Sequence, residues 1–297
     1  MSLRLYKLQF RHAHFGDGLL SDSIANFDAS RLYSALFLEA LKLDCEDEFL
    51  ALTQQTDFVL SDAFPYIDGQ PYLPKPIGYP EYEESTLQDL KKVRQETKKV
   101  KKLHYLPYQQ FSAYLQKKVD IDTLLANQSR LSKISYVTQK GVDPFQVGVT
   151  AFQEALYVLA DQSALFDLLM ESLQYTGLGG KRSSGFGQFY LETHTVPEDL
   201  ASHLTIQTNA ACMLLTSALP KDAELAGSLE QANYLLKKAS GFAYSDSSGE
   251  LLRKQDLYKF KAGSTFKKSF TGEIRDIRPD EFPHSVWHFA KGLFYQL

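Results

Sequence analysis

The stretch Tyr175–Phe189, YTGLGGKRSSGFGQF, gathers five glycines, two cations, two serines and no acid. Glycine loses more conformational freedom on folding than any other residue, so this density is expected where the main chain must approach another group closely. Consecutive amides flanked by Lys181, Arg182, Ser183 and Ser184 suit an anion, above all phosphate oxygens along a chain. The spacing excludes two nucleotide motifs. Gly180-Lys181 runs into Arg182 without the upstream glycine of a Walker A loop, and Gly177-x-Gly179 meets Arg182 where the dinucleotide fingerprint needs glycine. A helix C-cap followed by a bulged hairpin is the plainer reading, and it accounts for Gly177 and one more glycine. The other glycines stay unexplained by it, and a loop for a free nucleotide stands as a further alternative.

Few other residues are spaced for chemistry. His12 and His14 lie two apart and His284 and His288 four apart, neither pair with a third ligand at a recognisable spacing, so no metal site is expected. A metal-independent ribonuclease would need a general base, for which His14 is the candidate. There is no nucleophile elbow, no paired acidic motif and no local Cys–His arrangement. Cys45 and Cys212 stand far apart with no Cys-x-x-Cys spacing, which fits a reducing cytosol. No cofactor is implied.

Two stretches are basic. Lys91–Lys102 holds seven cations against one acid, after an acidic EYEE. Residues 253–278 hold eight against three, with Tyr258, Phe260, Phe266 and Phe270 interleaved. Aromatic faces beside cations such as Lys261, Lys267 and Lys268 suit unstacked bases of single-stranded RNA. A half-buried strand has the same alternation.

These residues need elements to carry them. Leu3–Phe10 alternates as a strand, and Asp28 stands as N-cap before a helix with Leu32, Leu36, Ala40 and Leu43 at helical spacing. Phe58–Phe64 reads as a strand, followed by a DG turn and the proline-rich LPKPIGYP. Residues 81–148 change to polar, irregular sequence and read as a protruding insertion. Phe152–Leu159 reads as a strand, Ser163–Leu173 as a helix, and Phe186–Thr193 as a closing strand. Strand, helix, strand, strand, helix, strand is the order of a ferredoxin-like unit. Val196-Pro197-Glu198 leads out of it into strand-like stretches that admit a second, eroded copy.

The whole chain sets the bounds. Its 297 residues suit one large domain or two ordinary ones, and 44% hydrophobic with 23% charged residues describes a globular protein. A net charge of −4 excludes a body that coats nucleic acid over its whole surface, so any such contact is local. The first residues are too charged for a secretory signal, and no apolar run approaches the length of about 18 residues that a membrane helix needs. A cytoplasmic location with no membrane contact is expected.

Three blocks together resemble a family: the opening strand into HFGDG with FDASRLYSALFLEAL, the segment SDAFPYIDGQPYLPKPIGYP, and GLGGKRSSGFGQF. They are similar to the RAMP superfamily of CRISPR–Cas proteins. With the basic insertion and the closing FPHSVWHFAKGLFYQL, they resemble the subunit that holds the 5′ handle of the guide RNA (crRNA) in type III-A (Csm) effector complexes. The resemblance covers nearly the full length. It implies an α+β fold of tandem ferredoxin-like (RRM/RAMP) domains, residues 1–197 and an eroded 198–297, with a thumb inserted at about 81–148. It implies a non-catalytic antiviral subunit whose glycine loop grips the crRNA backbone through Gly177, Gly179, Gly180, Lys181, Arg182, Ser183, Ser184, Gly185 and Gly187. Its implied partners are crRNA, a backbone RAMP subunit and the large polymerase-like signalling subunit, with target RNA reached only indirectly. Some relatives in other CRISPR types cut precursor crRNA, which keeps the endoribonuclease as the alternative function.

Overall fold

The computed structural model describes residues 3–80, 90–139, 144–205, 210–245, 249 and 251–297. β1 (Leu3–Phe10) runs into the short β2 (His12–Ala13). Asp28 then caps α1 (Ala29–Lys42), its carboxylate accepting the Arg31 amide at 3.1 Å. α1 buries Leu32, Tyr33, Leu36 and Ala40, each leucine worth about 1.5–3 kcal/mol relative to exposure. α2 (Glu46–Gln54) adds Phe49, stacked on Tyr33 with ring centroids 5.4 Å apart.

β3 (Phe64–Ile67) and β4 (Gln70–Pro74) form a hairpin whose turn, Asp68-Gly69, has φ of 51° and 75°. Two positive φ values are the requirement of a type I′ hairpin turn, as the DG pair predicts. The strand expected at Phe58–Phe64 begins only at Phe64. Before it, the Ser61 hydroxyl accepts the Leu159 amide at 2.8 Å and Asp62 bonds the Ala29 and Ser217 amides. Side-chain oxygens take the place of ladder acceptors there, so the segment follows the sheet without forming a regular strand.

The insertion is more regular than its sequence predicts. It contains α3 (Leu90–Lys102), β5 (Tyr105–Pro107), α4 (Phe111–Leu115), α5 (Ile121–Ser129) and the long hairpin of β6 (Ser132–Gln139) and β7 (Phe145–Phe152). Leu103, Leu106, Phe111, Tyr114 and Leu124 are its buried anchors on the second face of the large sheet. They are too sparse to give a periodic signal, yet enough to anchor a polar segment. The acidic EYEE and the turn at Gly141 lie outside the described residues.

β8 (Ala155–Asp161), α6 (Ala164–Thr176) and β9 (Phe189–Thr195) complete a six-stranded sheet of order β5-β4-β3-β8-β1-β9. β1 is antiparallel to both β8 and β9, with Leu8 facing Leu156 and Leu191. α1 and α6 cover one face, where Leu32, Leu36, Phe166 and Leu169 meet Tyr6, Leu8 and Val158.

The remainder comprises α7 (Glu198–Ser202), β10 (Cys212–Leu214), α8 (Asp222–Ser228), β11 (Leu236–Ala239), β12 (Phe242–Tyr244), β13 (Leu251–Arg253), β14 (Leu257–Phe260), β15 (Thr265–Phe266), β16 (Ile274–Asp276), β17 (Trp287–Phe289) and β18 (Phe294–Gln296). β10 lies between β15 and β18, and the other strands pair as β11–β14, β12–β13 and β16–β17. Met213, Leu215, Leu293 and Tyr295 pack on the second face of the large sheet, against Leu5, Phe64, Tyr157 and Leu159. Phe289 enters the core under α1.

Polar contacts also join the halves. Lys237 and the fully buried Lys259 approach Asp28 at 3.2 and 3.6 Å, and Lys259 donates to Ser30 at 3.0 Å. Burial opposes ionisation of Asp28, but Lys259 and Lys237 outweigh it and hold the carboxyl well below the usual range.

Candidate nucleic-acid interface

The glycine loop begins as α6 ends. Ser163 caps that helix, accepting the Phe166 amide at 3.0 Å, and Gly177 closes it with φ of 82°. From there the chain folds tightly onto itself. The amides of Gly177, Leu178, Gly180 and Gly187 donate to the carbonyls of Leu173, Gly187, His14 and His12, at 2.7–2.9 Å. A Cβ on Gly187 would stand 2.2 Å from the Leu178 carbonyl oxygen, and one on Gly179 would stand 2.7 Å from that of His14. At these positions glycine serves close approach within the protein itself, as the C-cap and hairpin reading holds, and for more glycines than that reading had claimed.

The crest differs. Lys181 adopts a left-handed φ of 57°, Arg182–Ser184 make one 3-10 turn, and Gly185 returns with φ of 84°. Arg182, Ser183, Ser184 and Gly185 are exposed. A Cβ on Gly185 would meet nothing within 4 Å, so another molecule can approach the backbone there. The Lys181 ammonium sits 4.9 Å from the centroid of the Phe145 ring, at the start of β7. A cation over an aromatic face is held in place without losing its charge.

The support under this crest explains His14. The ring is buried, its Nδ1 lies 2.7 Å from the Gly148 carbonyl, and its edge lies 2.7 Å from where a Gly180 Cβ would be. His14 therefore wedges the HFGDG loop between the glycine loop and the β6–β7 hairpin. β2 extends that hairpin into a three-stranded sheet, with His12 facing Ala151 and Lys133 facing the same residue from β6. The hairpin exposes Ile134, Tyr136 and Phe145. Exposed Arg11, His12 and Lys133 add donors and positive charge near the loop.

Lys261, Lys267 and Lys268 are exposed but lie elsewhere. Gly263, close after Lys261, packs against the Lys75 carbonyl just beyond β4. β4 and β9 are four strand spacings apart in the sheet, about 19 Å. Lys268 lies beside α8, 3.7 Å from where a Gly227 Cβ would be. The aromatic residues between these lysines are core. Phe260, Phe266 and Phe270 cluster with Phe294 and Cys212, and of the four expected rings Tyr258 alone is exposed. The alternation there is that of a half-buried strand, which corrects the base-stacking expectation for Phe260, Phe266 and Phe270.

The LPKPIGYP block is a three-way junction. Lys75 donates to the Val100 carbonyl at the end of α3, the Ile77 amide donates to Gly263, and the Ile77 carbonyl accepts from Thr265. Phe145, Tyr136 and the wedge role of His14 escaped sequence reasoning. The alternation in SKISYVTQ was the available signal for the hairpin. Among the described residues no group of histidine, cysteine and acidic side chains is placed to hold a metal, and no helix is long and apolar enough to cross a membrane.

Comparison with known proteins fits this architecture to a family. Residues 207–297 match the family model described as the CRISPR Csm4 C-terminal domain. The chain is 46% identical to a Csm4 protein of a CRISPR system in Streptococcus thermophilus, covering 100% of this chain and 99% of that one. It is 33% identical to a Csm4 protein of Mycobacterium tuberculosis, covering 100% and 98%. The fold is similar to that in a crystal structure of a Csm3–Csm4 subcomplex of the type III-A CRISPR–Cas interference complex, with a TM-score of 0.67 at 16% identity and 99% coverage of both chains. It is similar too to a Csm1–Csm4 cassette crystallised with pppApA, with a TM-score of 0.61 at 16% identity and coverage of 100% and 98%. With full-length identity and fold in agreement, the chain belongs to the Csm4 family of type III-A CRISPR–Cas proteins.

Proposed function

We propose that this chain grips the 5′ handle of crRNA with the Lys181–Gly185 crest and joins the Csm3 filament to the large Csm1 subunit. One observation carries the RNA reading. Gly185, the one loop glycine whose Cβ position is open, closes a cationic, hydroxyl-bearing crest in which Arg182, Ser183 and Ser184 are exposed and Lys181 is half-buried over Phe145. Lys181, Arg182, Ser183 and Ser184 supply donors for phosphate oxygens, and Gly185 lets the sugar-phosphate chain come near the backbone. Gly177, Gly179, Gly180 and Gly187 serve the grip indirectly, by building the platform. The β6–β7 hairpin, rooted beside the loop and exposing Tyr136 on one face and Phe145 on the other, is the thumb, its tip lying outside the described residues.

The connectivity supports the ferredoxin-like reading of residues 1–197, since β3, β8, β1 and β9 are adjacent in that order with α1 and α6 on one face. Residues 198–297 form the eroded copy, with β10 central between β15 and β18 and two short helices, α7 and α8. The complexes in which the similar structures were solved support one surface for Csm3 and another for Csm1. The subunit is non-catalytic and works in the cytoplasm. The burial of His14 and its bond to Gly148 suit a wedge and not a general base.

The test is a complex assembled from this chain, its companion subunits and a CRISPR array. Lys181→Ala with Arg182→Ala lowers the amount of small RNA with a common 5′ end that co-purifies, while the subunits still assemble. Equal RNA retention in the double variant would remove the crest from the interface. A specific cleavage product from labelled precursor RNA in EDTA, made by this chain alone, would revive the endoribonuclease.

A further inference from the structure

The face of the large sheet opposite α1 and α6 is covered over only part of its area. Strand pairing places Leu5 opposite His194, Lys7 opposite Glu192 and Gln9 opposite Tyr190, so these side chains share a face. Lys7 also pairs with Tyr157, and Tyr66 with Ala155, which brings Tyr66 onto the same face. At the Leu5 end this face lies under the C-terminal half. Toward the glycine loop it is open. Gln9 is exposed and Tyr190 is 64% exposed there, and at the Leu5 end the His194 side chain, on the outer strand β9, is still 43% exposed.

Tyr66 and His194 reach toward each other over the sheet. Their rings are nearly parallel, 11° apart, with centroids separated by 6.4 Å. Around the pair stand polar groups of both kinds. Lys7 lies 5.4 Å from the Tyr66 centroid and donates to Glu192 at 3.1 Å, and His194 Nε2 meets Glu192 at 3.2 Å. Both contacts fall on Oε2, so Oε1 can accept from the exocyclic amine of adenine or cytosine.

We infer that this patch is a binding site for one unstacked nucleobase bearing an exocyclic amine, stacked on Tyr66 and His194 and read by Glu192 and Lys7. The inference rests on the handle-binding proposal, because β9 carries the patch directly out of the glycine loop. Tyr190, Glu192 and His194 stand three, five and seven residues beyond Gly187 on one face of β9, so the ring pair lies about 23 Å along the strand from the loop, and a strand gripped at the crest reaches it over several nucleotides. A protein partner is the lesser fit. The groups around the ring pair are a tyrosine, a histidine, a lysine, an acid and a glutamine, with no exposed aliphatic residue among them. The sheet face of an RNA-recognition fold stacks bases in this manner as a general rule.

The experiment uses the full-length chain and fluorescently labelled oligoadenylate and oligouridylate, titrated at several salt concentrations. Stacking is worth about 1–3 kcal/mol per base, so Tyr66→Ala and His194→Ala each weaken oligoadenylate binding by about 5- to 150-fold. The slope of affinity against salt stays unchanged, because no phosphate contact is lost. Tyr66→Phe restores binding, and Glu192→Gln narrows the preference for adenine over uracil. Wild-type affinity in both alanine variants, with weakening only in the Lys181→Ala, Arg182→Ala chain, would overturn the inference and leave the crest proposal standing. Wild-type affinity in all three variants would overturn both. Unchanged RNA affinity with loss of Csm1 or Csm3 co-purification in the alanine variants would assign the patch to a protein contact and overturn it equally.

Discussion

Gly185 and Gly187 share a φ of 84°, yet one faces open space and the other the Leu178 carbonyl oxygen. Substitution separates the two roles. Gly185→Ala carries the left-handed penalty alone, about 1–2 kcal/mol. Gly187→Ala adds a backbone clash with no flexible partner to yield, and its cost exceeds about 3 kcal/mol. Urea unfolding ranks them, and equal costs would place the crest and the platform in one packing environment. A second residue sets an acid limit. His288 is buried, its Nε2 has no partner among the described residues, and burial, with Lys259 adding, pushes its imidazole down to about 3 from an ordinary 6.5. The unfolded chain then binds more protons between those values, so stability is full above pH 6.5 and falls as pH drops toward 3. Asp28, Lys237, Lys254 and Lys259 face it, and Asp28 alone of these favours its charge. His288→Asn flattens this part of the pH–stability curve, as thermal melts across the range would register.

Among the elements, capping and turn chemistry were legible in the sequence. Asp28 and Asp68-Gly69 sit where a side-chain oxygen and positive φ values are required, and short-range rules suffice for such sites, whereas Ser163, read as the first helical residue, is the cap before it. The irregular strand at Phe58 was not legible, because Ser61 and Asp62 form bonds that depend on residues far along the chain. Nor was the burial of Phe260, Phe266 and Phe270, since alternation reveals two faces without telling which one meets a neighbour. The glycine loop was legible as a place of close approach, but not which glycines approach the protein and which stay open. Asp28 joins two elements as the cap of α1 and the partner of Lys259 from β14. Asp28→Ala loses the cap, about 1 kcal/mol, and strands a buried ammonium, about 3–5 kcal/mol. Adding Lys259→Met recovers part of that loss in a double-mutant cycle read by denaturant unfolding. Strictly additive costs would mean the two groups do not interact.

Over the whole molecule, charge argues for a small footprint. A chain of net charge −4 has no general attraction for nucleic acid, so affinity rests on a few local contacts. Each phosphate contact on a single strand contributes about 0.7 to the slope of log affinity against log salt. Removing Lys181 and Arg182 lowers that slope by about 1.4, which a salt series on labelled handle RNA measures directly. A drop in affinity at constant slope would show that the pair acts through loop shape and not through charge.

Met213, Leu215, Leu293 and Tyr295 form the far wall of the large sheet, and Phe289 reaches the core beneath α1. Anyone who clips the chain near Pro197 to obtain a portable RNA clasp strips that wall away. Leu5, Phe64, Tyr157 and Leu159 then meet water, and the fragment collects in the insoluble pellet with its crest residues intact. The clasp cannot be borrowed without its backing.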